Sequence, residues 1–451
     1  MRMRASDLML ATEPAAASMT PAKFSPRKSF AISELNADQI LIATINRPEG
    51  ETGIHAHTRS LAAGMSQAGV KCEVISPFSG TRAWLPVFAV RPLLLKRLNK
   101  TWSTRWHRFW HGAALERNLR IHLSRHLPRA IIAQCPVSAR AALNARRALG
   151  LNVPVVAVCH FNYSEASEYR EKGELRGQSA FRAVIDLEVD ALRGVDKVIF
   201  VSQWAQKMVE QDRGIMPKSS TVIWNGIAGE AKTAPIDRAG LGLSKEDVVL
   251  VNVGSLEPRK NQTGLLDLFA RIAQAYPAAK LLLIGDGPDR EAIEWKIKSL
   301  DLQSRVQCLG FRSDVPAVLG ASDLYIHYAK LENCPVVLLE AARAGLPAMT
   351  PPAGGAAEIL NALGAGVLLN LDDLDKTTRS LSRLMTDAAY RREMGQKARA
   401  GFLDRFAQDA MAREYIRALQ SAGASLASGR PASAPVRLAP ALIAPEAVEI
   451  Q

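Results

Sequence analysis

Two carboxylates eight positions apart, Glu332 and Glu340 in the string LENCPVVLLEAARAGLP, are the residues of this chain best placed to do chemistry. Pro335 suits the first turn of a helix, where its missing N–H would have no partner, and Gly345 suits the stop. The residues between are apolar almost all round, which predicts a buried helix. Glu332 then lies in the loop before that helix and Glu340 just over one turn inside it. The free N–H groups of Val336 and Val337 would project from the helix start, where phosphate is stabilised. A carboxylate inside an apolar run needs hydrogen-bond partners, and ribose hydroxyls would serve Glu340. The plainer alternative, two surface glutamates on an ordinary helix, is weakened by the apolar setting of Glu340.

A second group stands at Gly254-Ser255-Leu256-Glu257-Pro258-Arg259-Lys260-Asn261, after the apolar run Val248–Val253. A glycine turn after a strand, followed by Arg and Lys, puts two cations at the carboxyl edge of a sheet, where open α/β sheets bind ligands. Arg259 can grip phosphate oxygens in pairs, while Lys260 acts as a point charge. Gly285-Asp286-Gly287-Pro288 follows another strand and reads as a structural turn, since Arg290 stands where a GxGxxG fingerprint would end. In the N-terminal half, His160 ends the run Val155–Val158. The loop Asn46–His55 carries Gly50 and Gly53, which permit a backbone close to a ligand. That loop reads equally as a flexible strand-to-helix turn, and a lone strand-end histidine as a structural one.

The elements that must hold these groups alternate. Short apolar runs at Ile40–Ile45, Cys72–Ser76, Ala130–Ala133, Val155–Val158 and Lys197–Val201 read as strands, and His55–Ala68 as a helix. A second set runs through Val248–Val253, Lys280–Ile284, Val306–Leu309 and Leu324–His327, with a helical stripe of Leu265, Leu268, Phe269, Ile272 and Tyr276 after its first strand. Continuous apolar strands separated by helices mean parallel sheets covered on both faces. The expected architecture is α/β: two Rossmann-like, doubly wound domains facing a cleft, over residues 38–228 and 229–401, joined by a linker near Ile227–Asp247. A helix over 402–421 should cross back to the N-terminal domain. Ala-, Ser- and Pro-rich stretches at 1–37 and 422–451 read as flexible tails.

Bulk properties fit two domains. The chain has 451 residues, beyond the size at which single cores stop growing. No apolar stretch is long enough to span a bilayer, and Leu8–Leu10 is too short for a secretory core. Five scattered cysteines without a CxxC pair indicate neither disulfides nor zinc, and suit a reducing cytoplasm. The net charge of +13 attracts anions of several kinds. Segment 91–126, RPLLLKRLNKTWSTRWHRFWHGAALERNLRIHLSRH, is basic and aromatic with Glu116 its one acid. It suits the face of an anionic membrane, the alternative being a solvated basic helix that packs its Trp and Leu residues inward. No nucleic-acid motif accompanies it.

Taken together, these motifs resemble the retaining glycosyltransferases of family 4, which share the GT-B fold. The E-x7-E pair Glu332 and Glu340 matches, as do Gly254 with Arg259 and Lys260, Gly285–Pro288 and Gly310-Phe311. Gly345, Pro347, Pro352-Ala353-Gly354-Gly355 with Glu358, and Val222-Ile223-Trp224-Asn225-Gly226 match too, although the family usually has Pro where Trp224 stands. The resemblance covers roughly residues 39 to 420 and is dense after residue 195. It implies that Arg259 and Lys260 bind a donor diphosphate, that Glu340 holds the ribose, and that Glu332 contacts the donor sugar with help from the N–H groups of Asn333 to Val336. It also implies that Gly53 lies in a first loop facing the diphosphate and that His160 faces the donor sugar. The family commonly has Gly-Phe-Gly where this chain has Asn333-Cys334-Pro335, and Pro335 removes one backbone donor.

The expected activity is transfer of a hexosyl unit from a UDP- or GDP-sugar, with retention, to a lipid-linked or oligosaccharide acceptor in envelope or exopolysaccharide synthesis. Such an enzyme would work on the cytoplasmic face of the membrane. No cofactor and no metal are expected: Asp373-Leu374-Asp375 matches a metal-binding DxD only formally, in a polar stretch that reads as a helix start. Two competing readings are a nucleotide-sugar 2-epimerase of similar fold and a catalytically silent sugar-binding protein. A dehydrogenase is disfavoured because no GxGxxG follows the first strand.

Overall fold

The computed structural model describes residues 39–47, 50, 52–80, 99–231 and 236–426. The expected tail at 1–37, residues 427–451 of the other tail, residues 48, 49 and 51 of the first loop and residues 91–98 of the basic segment lie outside them.

In the N-terminal half, β1 (Gln39–Ala43), β2 (Lys71–Ile75), β3 (Ala130–Ala133), β4 (Val155–Cys159), β5 (Lys197–Phe200) and β6 (Ser220–Val222) form a parallel sheet in the order β2-β1-β3-β4-β5-β6. Its helices are α1 (Gly53–Gln67), α2 (Lys100–Leu123), α3 (Pro136–Ala148), α4 (Glu165–Glu171), α5 (Gln178–Gly194) and α6 (Gln203–Lys207). The second sheet, β7 (Val248–Val253), β8 (Ala279–Ile284), β9 (Val306–Gly310), β10 (Leu324–Ile326), β11 (Ala348–Thr350) and β12 (Gly366–Leu368), has the order β12-β11-β10-β7-β8-β9. Around it lie α7 (Gln262–Ala275), α8 (Arg290–Ser299), α9 (Val315–Gly320), α10 (Val336–Arg343), α11 (Gly355–Leu363), α12 (Leu374–Ser380), α13 (Ser382–Thr386) and α14 (Ala388–Arg405). The last helix, α15 (Gln408–Ser421), returns to the first half.

Both faces of each sheet are covered, as the continuous apolar runs require. On one face of β1, Leu41 and Ala43 join the core formed with Ala139 and Ala142 of α3. On the other, Ile40 and Ile42 pack with Leu61 and Met65 of α1 and with Met411, Tyr415 and Leu419 of α15. The end of the chain therefore completes the core of its beginning. Fully burying side chains of this size contributes on the order of 1.5–3 kcal/mol each.

Strand order reverses between β1 and β3 in the first sheet and between β7 and β10 in the second. Crevices at the carboxyl ends of strands open at such reversals. Gly285 lets two of these strand ends close up, because a Cβ there would sit 1.9 Å from the carbonyl oxygen of Gly254. The 285–288 turn is thus occupied in packing.

Several boundaries differ from the sequence reading. β1 stops at Ala43 instead of Ile45. The crossover expected over 402–421 is divided: α14 runs to Arg405, and only α15 packs on α1. Between them Ala407 pairs with Ile227, at the start of the expected linker, in an isolated parallel bridge. Ala424, expected in the tail, is buried in the N-terminal core.

Candidate functional site

The crevice between β7 and β10 gathers the charged residues. After β7 the chain turns through Ser255–Asn261 into α7, with Gln262 Nε2 donating to the Ser255 carbonyl at 3.0 Å. The Lys330 amide donates to the Arg259 carbonyl at 3.0 Å, tying this turn to the segment that leaves β10. Two residues further on, Glu332 is buried. Its Oε1 accepts from Arg259 Nη1 at 2.7 Å and also from Lys260 Nζ. Its Oε2 lies 3.0 Å from His327 Nε2, within ion-pair range, although the two atoms are not aligned for a hydrogen bond. Burial pushes the Glu332 carboxyl up, but His327 and Lys260 outweigh it and hold the group well below the usual carboxylate range. For Arg259, burial works against the charge, and Glu332 and Glu257 more than restore it. The crevice thus holds two cations, Arg259 and Lys260, against two carboxylates, Glu332 and Glu257, with the His327 imidazole beside them.

The loop carrying Glu332 is held from both sides. From behind, the Gly355 amide donates to the Glu332 carbonyl at 2.9 Å, and a Cβ on Gly355 would meet the Asn333 carbonyl oxygen at 1.7 Å. From the front, Asn333 Nδ2 donates to the Phe161 carbonyl at 2.9 Å, while its Oδ1 accepts from Ser202 Oγ. Asn225 Nδ2 donates to the Cys334 carbonyl at 3.3 Å. Close by, Glu358 of α11 accepts from the amides of Gln203 at 2.8 Å and Trp204 at 2.5 Å, capping the open start of α6 in the other half. Asn333, expected among the donor contacts, therefore spends its side chain bridging the two sheets. No local spacing points to Ser202 or Phe161 as its partners.

Val336 and Val337 are the first residues of α10, and among the described residues their N–H groups have no backbone partner. Glu340 lies apart from the cluster. It opens into a cavity of about 450 Å³ shared with Arg343 and Arg399, within the span of small-ligand pockets. Burial raises its carboxyl, and Arg343 partly offsets this. The buried Tyr325 hydroxyl is pushed well up by burial, then by the charges of Glu332 and Glu340. Gly254 directly follows β7, with Lys260 folded against it. Gly53 begins α1, and a Cβ there would meet no described protein atom within 4 Å.

His160, just after β4, is turned into the N-terminal half. Its Nε2 lies 2.9 Å from Gln134 Oε1, and its ring meets that of His57 edge-on at 4.7 Å. Burial, then the proximity of His57, lowers its pKa well below the usual value. His57 is drawn down to about 4 by burial, against the hydrogen bond that its Nδ1 donates to Asn225 Oδ1. Asn225 and the Tyr415 hydroxyl, 3.0 and 3.2 Å away, hold its two nitrogens. Both imidazoles are therefore neutral at neutral pH. His327, the last residue of an expected strand, was missed as a site residue. Its one available signal was that strand's end beside Arg259. In the formal DxD, Asp373 Oδ1 caps α12 by accepting from the Lys376 amide at 2.8 Å, and Asp375 Oδ1 pairs with Arg271 at 2.5 Å.

A sequence profile described as "Glycosyl transferases group 1" matches residues 234–401, and one described as "Glycosyltransferase Family 4" matches residues 52–230. The chain belongs to the group 1 glycosyltransferase family. Among solved structures, this group 1 glycosyltransferase is similar to Anabaena HepE in complex with UDP and glucose. The TM-score is 0.62 at 22% identity, over 85% of this chain and 99% of that one. It is also similar to WaaG, described as a glycosyltransferase involved in lipopolysaccharide biosynthesis, at a TM-score of 0.58 and 16% identity, over 85% of this chain and all of the other (100%). These likenesses establish the two-domain GT-B fold. Among curated relatives it is 29% identical over 174 residues to the N-acetyl-alpha-D-glucosaminyl L-malate synthase of Bacillus anthracis, covering 39% of this chain and 45% of that protein. It is 27% identical over 210 residues to an Escherichia coli galactosyltransferase whose name gives UDP-Gal and alpha-D-GlcNAc-diphosphoundecaprenol, covering 45% and 54%. The chain thus spans about half the length of these relatives.

Proposed function

We propose that this group 1 glycosyltransferase moves a hexosyl unit from a UDP- or GDP-sugar to a lipid-linked saccharide, with retention and without a metal, in building an envelope polysaccharide. The observation that carries the reading is the convergence of Arg259 and Lys260 on Glu332 beside the open start of α10. A diphosphate would replace Glu332 as counter-ion to both cations and accept from the Val336 and Val337 amides. Glu332, still beside His327, would turn its freed oxygen to a hydroxyl of the sugar. Glu340 would hold the ribose. As the anomeric bond breaks, charge grows on the departing diphosphate, and these preorganised donors stabilise it most at that moment.

Support for a lipid-linked acceptor comes from the name of the Escherichia coli relative and from α2. The buried stripe of α2 includes Ser103, Thr104, Arg108, Ala114, Leu115 and Leu119, which leaves Trp102 and Phe109 exposed at 60% and 67%. Arg105, Arg117 and Arg120 are exposed on the same helix. Aromatic rings among arginines suit the headgroup region of an anionic bilayer. No helix of the described residues is long and apolar enough to cross a membrane.

The test is nucleoside diphosphate release from a panel of UDP-, GDP- and ADP-sugars offered with extracted cell lipids, with Glu332→Ala run in parallel. Lipid-dependent release from one donor, lost in the variant, is the expected result. Interconversion of a free nucleotide sugar without lipid would replace transfer by epimerisation, and loss of release with EDTA would overturn metal independence.

A further inference from the structure

Beyond β4 the chain runs along the seam between the two halves. Phe161 is tied to Asn333. The next amide, Asn162 N–H, donates to Glu168 Oε1 at 2.9 Å. The residue after that, Tyr163, is 43% exposed. Its backbone is fixed, because Arg213 Nη1 donates to the Tyr163 carbonyl at 2.8 Å. Its ring stands edge-on to Trp204, centroids 6.4 Å apart, and the Trp204 amide is bound by Glu358 of the opposite half. Tyr163 is therefore an anchored aromatic ring facing solvent at the domain boundary.

Glu168 sits in α4 and is only half used. One oxygen takes the Asn162 amide, and the other makes no hydrogen bond among the described residues. Burial raises its carboxyl, and the Asn162 amide, then Lys172, pull it back. Glu165 pushes it up a little, and Arg259 of the C-terminal half adds a smaller pull down. The second oxygen thus keeps its lone pairs available to a donor beside the anchored 161–163 loop.

We propose that Glu168 and Tyr163 form the subsite for the accepting saccharide, Glu168 receiving a hydroxyl of the ring and Tyr163 carrying its C–H face. The pairing matches the two surfaces of a pyranose. Hydroxyls donate well to a carboxylate with a free lone pair, and ring C–H bonds pack on an aromatic face with its partial negative charge. Both residues belong to the N-terminal half, across the cleft from Arg259 and Glu332. The inference rests on the glycosyl-transfer reading and names its acceptor side.

Ligand-observed NMR tests it without needing turnover. The probes are methyl α- and β-pyranosides of glucose, galactose, mannose and N-acetylglucosamine, titrated into the full chain with UDP, GDP or ADP bound. Glu168→Gln keeps an acceptor for the Asn162 amide but removes the charge, and Tyr163→Ala leaves the backbone contact to Arg213 in place. Each variant should weaken glycoside binding about tenfold or more, the loss expected for one charge-assisted contact, with nucleotide binding unchanged. Wild type that binds nucleotide but no glycoside overturns the proposal, as do variants that bind glycoside as wild type does. A glycoside signal lost in Glu332→Ala yet kept in Glu168→Gln assigns the sugar to the donor side and also overturns it. Failure of all three nucleotides to bind would instead sink the glycosyl-transfer reading beneath it.

Discussion

His327 Nε2 stands 3.0 Å from Glu332 Oε2, on the opposite oxygen from the one shared by Arg259 and Lys260. The carboxylate is thus contacted at both ends in a buried setting, and its depressed pKa is a stability term. A carboxyl whose folded pKa lies below its unfolded one stabilises in full above the unfolded value and loses that contribution as pH falls toward the folded one. Urea unfolding between about pH 7 and about pH 3 should show wild type losing stability more steeply than Glu332→Gln below the ordinary value of 4.5. Parallel curves would remove Glu332 as the acid-sensitive group.

Removing either cation should damage catalysis far more than folding. Arg259→Ala and Lys260→Ala each take away a donor aimed at the leaving diphosphate, so the rate of nucleoside diphosphate release should fall by about 10²–10³. Glu332 keeps one cation in either variant, so circular dichroism should stay that of wild type. A rate within tenfold of wild type would place the diphosphate elsewhere.

The bridge from Asn333 to Ser202 should appear as coupling between the halves. A double-mutant cycle with Asn333→Ala and Ser202→Ala, read by urea denaturation, should give an interaction of about 0.5–3 kcal/mol. Strict additivity would mean the bridge contributes nothing in solution.

Gly355→Ala drives a methyl group into the Asn333 carbonyl. The loop that carries Glu332 has to move, so the variant should lose about 1–3 kcal/mol of stability by overpacking and show a raised KM for the nucleotide sugar. Gly53→Ala, with no described protein atom near the added methyl, should leave stability unchanged.

Replacing Trp102 and Phe109 together by Ala should reduce sedimentation with anionic vesicles at low salt, since both rings lie exposed on α2. Undiminished binding would move membrane contact away from this helix.

The sequence made the cations and the carboxylate legible because each sits at a strand end or helix start, and those positions follow from apolar runs and from Pro335 and Gly345. The partners of Asn333 were not legible: Ser202 and Phe161 are 131 and 172 residues away, and no local spacing encodes such a contact. His327 looked like the last residue of a strand because a lone histidine does not announce the carboxylate it will meet across a turn. Strands β6, β11 and β12 have three residues each, as does β10, which alone of the four stood out as an apolar run, Leu324–His327. Segments that short show no periodicity, and neighbouring strands define them. The division of the crossover into α14 and α15 depends on the Ile227–Ala407 bridge, again a long-range pairing.

Glu332 gives the crevice a resident tenant. Arg259 and Lys260 left bare would trap any passing phosphate or sulfate, and the protein would spend its time clogged by bystander ions. With the carboxylate in residence, an incoming anion must evict it, and a buried charge turned out of its pair needs a new partner. Sulfate, with no hydrogen to donate, brings none. A diphosphate with a sugar attached brings hydroxyls to rehouse it, so vetting of the guest begins before any bond is broken.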